Sequence, residues 1–289
     1  MIEAVDLRKE YADVVAVEGS TFSVEPGEIF GLIGPNGAGK TTTLKMLSGL
    51  VEPTSGRAIV AGYESRDREM RRRLGFLPED SPLYADMTAH SYLRFFADLY
   101  EVPRAVANER IEATLDRLDL EARDRPLGNV SKGMKRKVAI ARSLVNDPEV
   151  LVYDEPASGL DPLTTNAIVE FVEELSAERT VVFSAHDLHQ VESLCDRVGI
   201  MLDGRIVAQG TVEEIRAEHG AVEYRVFTSV PVDGVEPAGD RYRTTVGDMA
   251  AVEAVREAAE AAGGELLDVR TREPSLEDVF LAVAEAPDA

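Results

Sequence analysis

The sequence predicts an α/β fold followed by a small second domain, on three observations. A short apolar stretch, Ile29 to Ile33, runs into a glycine-rich loop and then into a helical pattern. Two further apolar stretches, Val150 to Tyr153 and Thr180 to Ser184, are separated by a helical pattern from Leu163 to Ser176, which is the logic of parallel βαβ units. Near Gly220 the character changes: residues 221–289 hold 15 acidic and 6 basic side chains in a strand, helix, strand, helix order. The expected domains are therefore residues 1–219 and a small α+β domain at 220–289.

Taken in order, residues 21 to 33 read as a strand, a turn at Pro26-Gly27 and the strand Ile29 to Ile33. Thr41 to Leu50 places Leu44, Leu47 and Leu50 at helical spacing. From about residue 82 to 148 the pattern is mostly helical, with Leu93, Phe96 and Leu99 to Tyr100 on one stripe and Ile111, Leu115 and Leu118 on another. This segment is an expected helical insertion, after which the strands resume in a mixed sheet. In the second domain a helix from Met249 to Ala262 stops at Gly263-Gly264. Another runs from Leu276 to Ala284, opened by Ser275 with Asp278 three positions on as a capping box.

Composition narrows the function classes. The chain has 289 residues, 44% of them hydrophobic, which suffices for a real core and argues against global disorder. No run approaches the roughly 18 apolar residues of a membrane span, and the polar start (Glu3, Asp6, Arg8, Lys9, Glu10) does not read as a signal peptide. A single cysteine, Cys195, excludes an intrachain disulfide and a Cys-rich zinc site, and fits a reducing cytoplasm. It reads as a small packed residue, with a reactive thiol as the alternative. The 53 acidic and 31 basic side chains leave a net charge of −22, which opposes nonspecific nucleic-acid binding, and no nucleic-acid partner is expected. Only six residues are lysine, so arginine carries most of the positive charge. Such a surface suits a salt-rich cytoplasm in which self-repulsion is screened.

The chemistry-bearing segment is Gly34-Pro35-Asn36-Gly37-Ala38-Gly39-Lys40-Thr41, which fits the phosphate-binding loop pattern GxxxxGK[ST]. Glycines let backbone N–H groups fold around phosphate oxygens, and the following helix N-terminus adds partial positive charge. Lys40 suits β- and γ-phosphates; the Thr41 hydroxyl suits Mg²⁺. A partner carboxylate follows the apolar run Val150 to Tyr153. Asp154 suits the metal, while Glu155 suits orienting an attacking water. Two adjacent carboxylates after a buried strand need a compensating cation.

In this order the pieces resemble the nucleotide-binding subunit of ABC transporters, a branch of the P-loop NTPases, over residues 1 to about 215. Val130-Ser131-Lys132-Gly133-Met134 stands where the family has its LSGGQ signature. Gly159-Leu160-Asp161 matches the D-loop, His186 the switch histidine, and Tyr11 falls where an aromatic ring stacks on adenine. The resemblance implies that the loop through Thr42 holds ATP, that Glu155 and His186 are catalytic, and that Ser131, Lys132 and Gly133 meet the nucleotide of a second copy. Asp161 also reads as a helix N-cap before Pro162, and the basic run Lys132 to Lys137 as a solvated face.

Two departures stand out. The signature reads Ser-Lys-Gly-Met rather than Ser-Gly-Gly-Gln, and Glu79, after Gly75-Phe76-Leu77-Pro78, occupies the usual glutamine position of the Q-loop. A carboxylate there offers oxygen to Mg²⁺ and adds negative charge. Both departures, with Pro-Ser-Leu-Glu-Asp-Val-Phe-Leu at 274–281, look like the branch that serves ABC-2 type permeases. The implied protein is an ATP-hydrolysing motor subunit, a homodimer or a heterodimer with a related subunit, docked on a permease at the inner face of the cell membrane. A soluble ABC ATPase without a permease and a binding-only regulatory subunit are the alternatives.

Overall fold

The computed structural model describes residues 1–220, 223–272 and 274–285, and the chain divides into two compact units, 1–211 and 212–289. The first unit begins with a hairpin. Strand β1 (Ile2–Tyr11) pairs antiparallel with β2 (Val14–Val24). Ile2, Ala4, Leu7, Val17, Phe22 and Val24 supply its buried face, alternating with period two except where the register shifts between Ala4 and Arg8 move the inward face by one residue. Past the turn, β3 (Ile29–Ile33) is buried at every residue, as a strand covered on both faces should be.

Helix α1 (Lys40–Leu47) is shorter than its apolar spacing suggests, and Leu50 is 62% exposed rather than internal. Gly49 explains the early stop. It sits at φ +68°, and a β-carbon there would lie 2.0 Å from the Ser65 carbonyl oxygen, so a glycine ends the helix where another chain segment presses close. Strands β4 (Ser55–Val60) and β5 (Tyr63–Glu64) complete an antiparallel sheet of order β2-β1-β4-β5.

Then come α2 (Arg68–Arg72), β6 (Leu74–Leu77), α3 (Ala89–Leu99), α4 (Arg104–Arg117), α5 (Lys132–Leu144), β7 (Val150–Asp154), α6 (Pro162–Ser176), β8 (Thr180–Ala185), α7 (Leu188–Leu194), β9 (Arg197–Leu202) and β10 (Arg205–Gly210). The second sheet has the order β10-β9-β3-β8-β7-β6, parallel except for the β9–β10 pair. Leu44, Met46 and Leu47 of α1 join one core cluster with Leu7, Phe30 and Val152, so the helix that follows the glycine loop is held by strands of both sheets. Because β8 lies between β3 and β7, with Ile33 opposite Ala185 and Asp154 opposite Ser184, three strands end level at one sheet edge. Carboxyl ends of parallel strands are where such sheets bind ligands.

Helices α3, α4 and α5 pack on one another as the helical insertion. Ile111, Leu115 and Leu118 are buried, as their spacing implies. In α3 the inward face differs from the expected stripe: Ala89, Tyr92, Leu93 and Ala97 are buried, while Leu99 is 62% exposed beside the exposed Tyr84 and Phe95. The apolar residues of this helix form a broad arc opposite His90, Ser91, Arg94 and Asp98, wider than the face the insertion buries, so periodicity alone does not fix which part of the arc turns inward.

The second unit comprises α8 (Val212–His219), β11 (Glu223–Thr228), β12 (Glu236–Ala238), β13 (Arg241–Val246), α9 (Met249–Ala261), β14 (Leu266–Arg272) and α10 (Leu276–Glu285). Its sheet is antiparallel, in the order β12-β13-β11-β14, with α9 against β11 and β14. Helix α8 packs on α10, which moves the start of this unit ahead of the composition change at Gly220. Ser275 Oγ accepts from Asp278 N–H at 3.1 Å while Asp278 Oδ2 accepts from Ser275 N–H at 2.8 Å, a reciprocal cap. Residues 221–222, 273 and 286–289 of the expected second domain lie outside the described residues. Among the described residues no helix is long and apolar enough to cross a membrane.

Candidate functional site

The loop Gly34–Gly39 leaves the buried end of β3 and turns into α1. It is built against its surroundings with no room to spare. A β-carbon on Gly34 would lie 2.2 Å from the Met201 carbonyl oxygen, and one on Gly39, at φ +104°, would lie 2.5 Å from the Ala16 carbonyl oxygen. Ala38 is buried, and its carbonyl accepts from Gly204 N–H at 3.0 Å, whereas Pro35, Asn36 and Gly37 face solvent. The loop is thus clamped at its ends and open at its crest, the arrangement by which a glycine-rich loop before a helix N-terminus offers backbone N–H groups to an anion.

Lys40 is buried, and its Nζ donates to the Gly34 carbonyl at 2.6 Å and the Pro35 carbonyl at 3.2 Å. Burial pushes its pKa down, while the Glu155, Asp154 and Glu79 carboxylates oppose that shift. The ammonium therefore lies in the field of all three acidic groups singled out by the sequence. Thr41 Oγ1 donates to Asp154 Oδ1 at 3.2 Å. Thr42 is half-buried on the same turn.

Asp154, at the end of β7, is 1% exposed, and its Oδ1 also accepts from Ser184 Oγ at 2.6 Å. Ser184 Oγ in turn accepts from Glu155 N–H at 3.0 Å. One buried hydroxyl therefore ties the Asp154 carboxylate to the peptide that carries Glu155. That peptide is unusual, since Glu155 has a φ of +49°, a left-handed conformation that persists only where neighbours hold it. The Glu155 carboxylate reaches outward, and its Oε2 lies 2.6 Å from His186 Nδ1. Lys40, Thr41, Asp154, Glu155 and His186 are thereby brought to one edge by strands far apart in sequence.

Mg²⁺ fits the donors this edge offers. Thr41 Oγ1 and Asp154 Oδ1 are hard oxygen groups in mutual contact, and Mg²⁺ is commonly held by one or two protein oxygens, with phosphate and water oxygens completing its shell. Among the described residues no three His, Cys, Asp or Glu side chains converge as an all-protein metal site. Glu79 is exposed, and what ties it to the site is its backbone carbonyl, which accepts from Arg136 at 2.9 Å.

Tyr11 ends β1, 45% exposed, and pairs with Val14, two residues before the Ala16 that abuts Gly39. Val14 and Val15 are also exposed, and Lys9 Nζ lies 5.0 Å from the Tyr11 ring centroid. An apolar shelf with a cation on its aromatic ring thus adjoins the loop.

The signature residues have partners within the chain. Ser131 N-caps α5, its Oγ accepting from Met134 N–H at 3.2 Å. Lys132 Nζ donates to the Gly159 carbonyl at 3.0 Å, while its side chain is exposed and keeps two further N–H donors. A β-carbon on Gly133 would approach Thr164 Cγ2 to 2.9 Å. Asp161 caps α6, accepting from Thr164 N–H at 3.0 Å and Thr164 Oγ1 at 2.7 Å, and these bonds lower its pKa.

Two residues escaped the sequence reading. Ser184 is the lone hydroxyl between Phe183 and Ala185 on a buried strand, a signal available but unused. Arg136 corrects the reading of Lys132 to Lys137 as a solvated face, for it is 8% exposed. Helical spacing puts it three residues beyond Gly133 and four before Ile140, both buried, so it faces inward while Lys135 and Lys137 stay half-exposed.

Comparison with known proteins gives a consistent result. The sequence profile of the family described as ABC transporter matches residues 17–158. An uncharacterized ABC transporter ATP-binding protein of Nostoc sp. is 40% identical over 221 residues, 73% of this chain and 66% of that protein. The linearmycin resistance ATP-binding protein of Bacillus subtilis is 38% identical over 224 residues, 76% of this chain and 72% of its own. The Nod factor export ATP-binding protein I of Burkholderia pseudomallei is 38% identical over 248 residues, 83% of this chain and 82% of its own. Among solved structures, an ATP-binding subunit of an ABC transporter superposes with a TM-score of 0.70 at 36% identity, covering 76% of this chain and 93% of that one.

Proposed function

Since this chain belongs to the ABC transporter ATP-binding proteins, we propose that it is the ATP-hydrolysing motor subunit of an ABC-2 type exporter. The observation that carries the reading is the Glu155–His186 contact at 2.6 Å beside the Thr41–Asp154 pair, at the foot of a phosphate-binding loop. ATP binds with its phosphates against the loop from Gly34 to Thr42 and its adenine on Tyr11. Lys40 exchanges its two carbonyl partners for phosphate oxygens, a trade between like hydrogen bonds that keeps its buried charge compensated. Thr41 and Asp154 would hold Mg²⁺, which would supply positive charge against the charge developing on the phosphates.

Glu155 orients and polarises the attacking water, and His186 holds the Glu155 carboxylate and meets the γ-phosphate. The other subunit, a second copy or a related one, closes over this nucleotide with its own Ser131, Gly133 and Asp161. Two surfaces of net negative charge resist that closure, so the bridging nucleotide supplies the differential affinity that drives it.

The chain works in the cytoplasm, peripheral on the inner face of the membrane. The patch of exposed Tyr84, Phe95 and Leu99 on the helical insertion supports a permease docking there. Phosphate release from the purified chain, with Glu155→Gln as the blank, tests the enzymatic part. Co-purification of a polytopic membrane protein with the tagged chain tests the transport part; a chain that hydrolyses ATP yet captures no such protein from its own membranes refutes the exporter reading.

A further inference from the structure

Arg136 is the most heavily engaged side chain near the site, and no step above uses it. Its Nε donates to the Pro156 carbonyl at 2.7 Å. Nη1 donates to the carbonyls of Pro78 at 2.8 Å and Glu79 at 2.9 Å. Nη2 donates to the carbonyls of Asp154 at 2.9 Å and Glu155 at 2.7 Å. Five of its six acceptors are backbone carbonyls, the sixth being Ser81 Oγ at 3.4 Å, and they come from the ends of the neighbouring parallel strands β6 and β7 and the loops that follow them. Burial pushes the Arg136 pKa down to about 10 against the opposing charges of Asp154 and Glu79. A buried guanidinium is held by fixed dipoles and nearby carboxylates here, and its planar fork suits acceptors fanned across two loops, where the single donor head of lysine does not.

Two further facts give the fan a consequence. Arg136 grips the Asp154 and Glu155 carbonyls, one on each side of the Glu155 α-carbon, while Ser184 holds the Glu155 N–H, so together they fix the left-handed Glu155 backbone and aim its side chain. Arg136 also rides on α5, the helix that Ser131 opens, about a turn and a half away.

We propose that Arg136 is a positioning residue that locks the helix opened by Ser131 to the Glu155 and Glu79 loops of its own chain, so that engagement of Ser131 by the other subunit's nucleotide sets the aim of Glu155. The proposal rests on the reading of Glu155 and Ser131 given above. It makes hydrolysis at one site depend on occupancy of the other through a rigid lever inside each chain.

The test uses Arg136→Lys, with Arg136→Gln alongside, in the full chain and again in the Glu155→Gln background. In each, MgATP binding, phosphate release against ATP concentration and the thermal transition are measured. The expected result is MgATP affinity within about threefold of wild type, a kcat lower by about 30-fold or more, and a Hill coefficient for ATP falling towards one. In the Glu155→Gln background the same substitution should change the residual rate by less than about threefold, because its effect runs through the missing carboxylate. Unchanged kcat and Hill coefficient overturn the proposal. So does a full multiplicative loss in the Glu155→Gln background, or failure of both variants to fold, since either marks a structural part only. A wild-type chain that binds MgATP without releasing phosphate is a different result: it defeats the assignment of Glu155 itself, and with it this inference.

Discussion

His186 Nδ1 lies 2.6 Å from Glu155 Oε2, although 31 residues separate them in the chain. The imidazole is the more exposed partner, with 60% of its side chain accessible against 12% for the carboxylate. The histidine thus stands between Glu155 and solvent. Glu155→Gln should bind MgATP, form a stable dimer in excess MgATP and release phosphate at least about 100-fold more slowly, the usual loss on removing a general base. His186→Ala should lose a similar factor, and the double variant little more, because the two act as one unit. Size-exclusion chromatography and phosphate release read both parts; a Glu155→Gln chain that stays monomeric in MgATP contradicts the shared-site reading.

Ser184 joins the Asp154 carboxylate to the Glu155 peptide through one buried hydroxyl. Ser184→Ala leaves that N–H without its acceptor, which costs about 1–3 kcal/mol of stability. Denaturant unfolding should show the lowered midpoint with an unchanged slope, and hydrolysis should need more Mg²⁺. Chelation of Mg²⁺ should abolish turnover in wild type.

Glu79 contributes negative charge to the field around Lys40. Glu79→Gln should leave ATP binding in place and shift the Mg²⁺ concentration giving half-maximal hydrolysis. An identical Mg²⁺ titration would remove Glu79 from the site.

Hydrogen bonds from Thr164 hold the Asp161 carboxyl below its ordinary pKa. The sign follows from linkage: a group whose pKa is lower folded than unfolded adds stability above its unfolded pKa, and that stability disappears as pH falls through the folded value. Asp161→Asn should therefore flatten the acid limb of stability below about pH 4, leaving the neutral region nearly parallel to wild type. Thermal melts at a series of pH values check this.

The excess of acid over base, −22 for the chain, predicts that stability rises as KCl increases from about 0.1 M to molar levels, where the Debye length contracts to about 3 Å. Indifference of the melting temperature to KCl would contradict a surface adapted to salt.

Much of the fold was legible in the sequence because its signals are local. Gly34 to Thr41 declares a backbone that wraps phosphate, Val150 to Tyr153 a buried strand, and Ser275 with Asp278 a helix start; each needs only near neighbours to be read. The short strands β4 and β5 were not legible, since they take their place from pairing with β1 and each other. The end of α1 is not legible either, because the decisive contact at Gly49 comes from Ser65, a distant segment.

Sequence alone thus determined the chemical inventory of this protein: a glycine-rich loop of phosphate-binding pattern, two adjacent carboxylates after a buried strand and a histidine, in a chain of net charge −22. Tertiary structure decided which of these meet. The insertion of β8 between β3 and β7 sets Ser184 against Asp154 and His186 against Glu155, and the inward turn of α5 buries Arg136 on five carbonyls that no local pattern assigns to it. The reason is physical. Propensity and periodicity act over a few residues, whereas strand order and the satisfaction of a buried charge are settled only when distant segments are packed together.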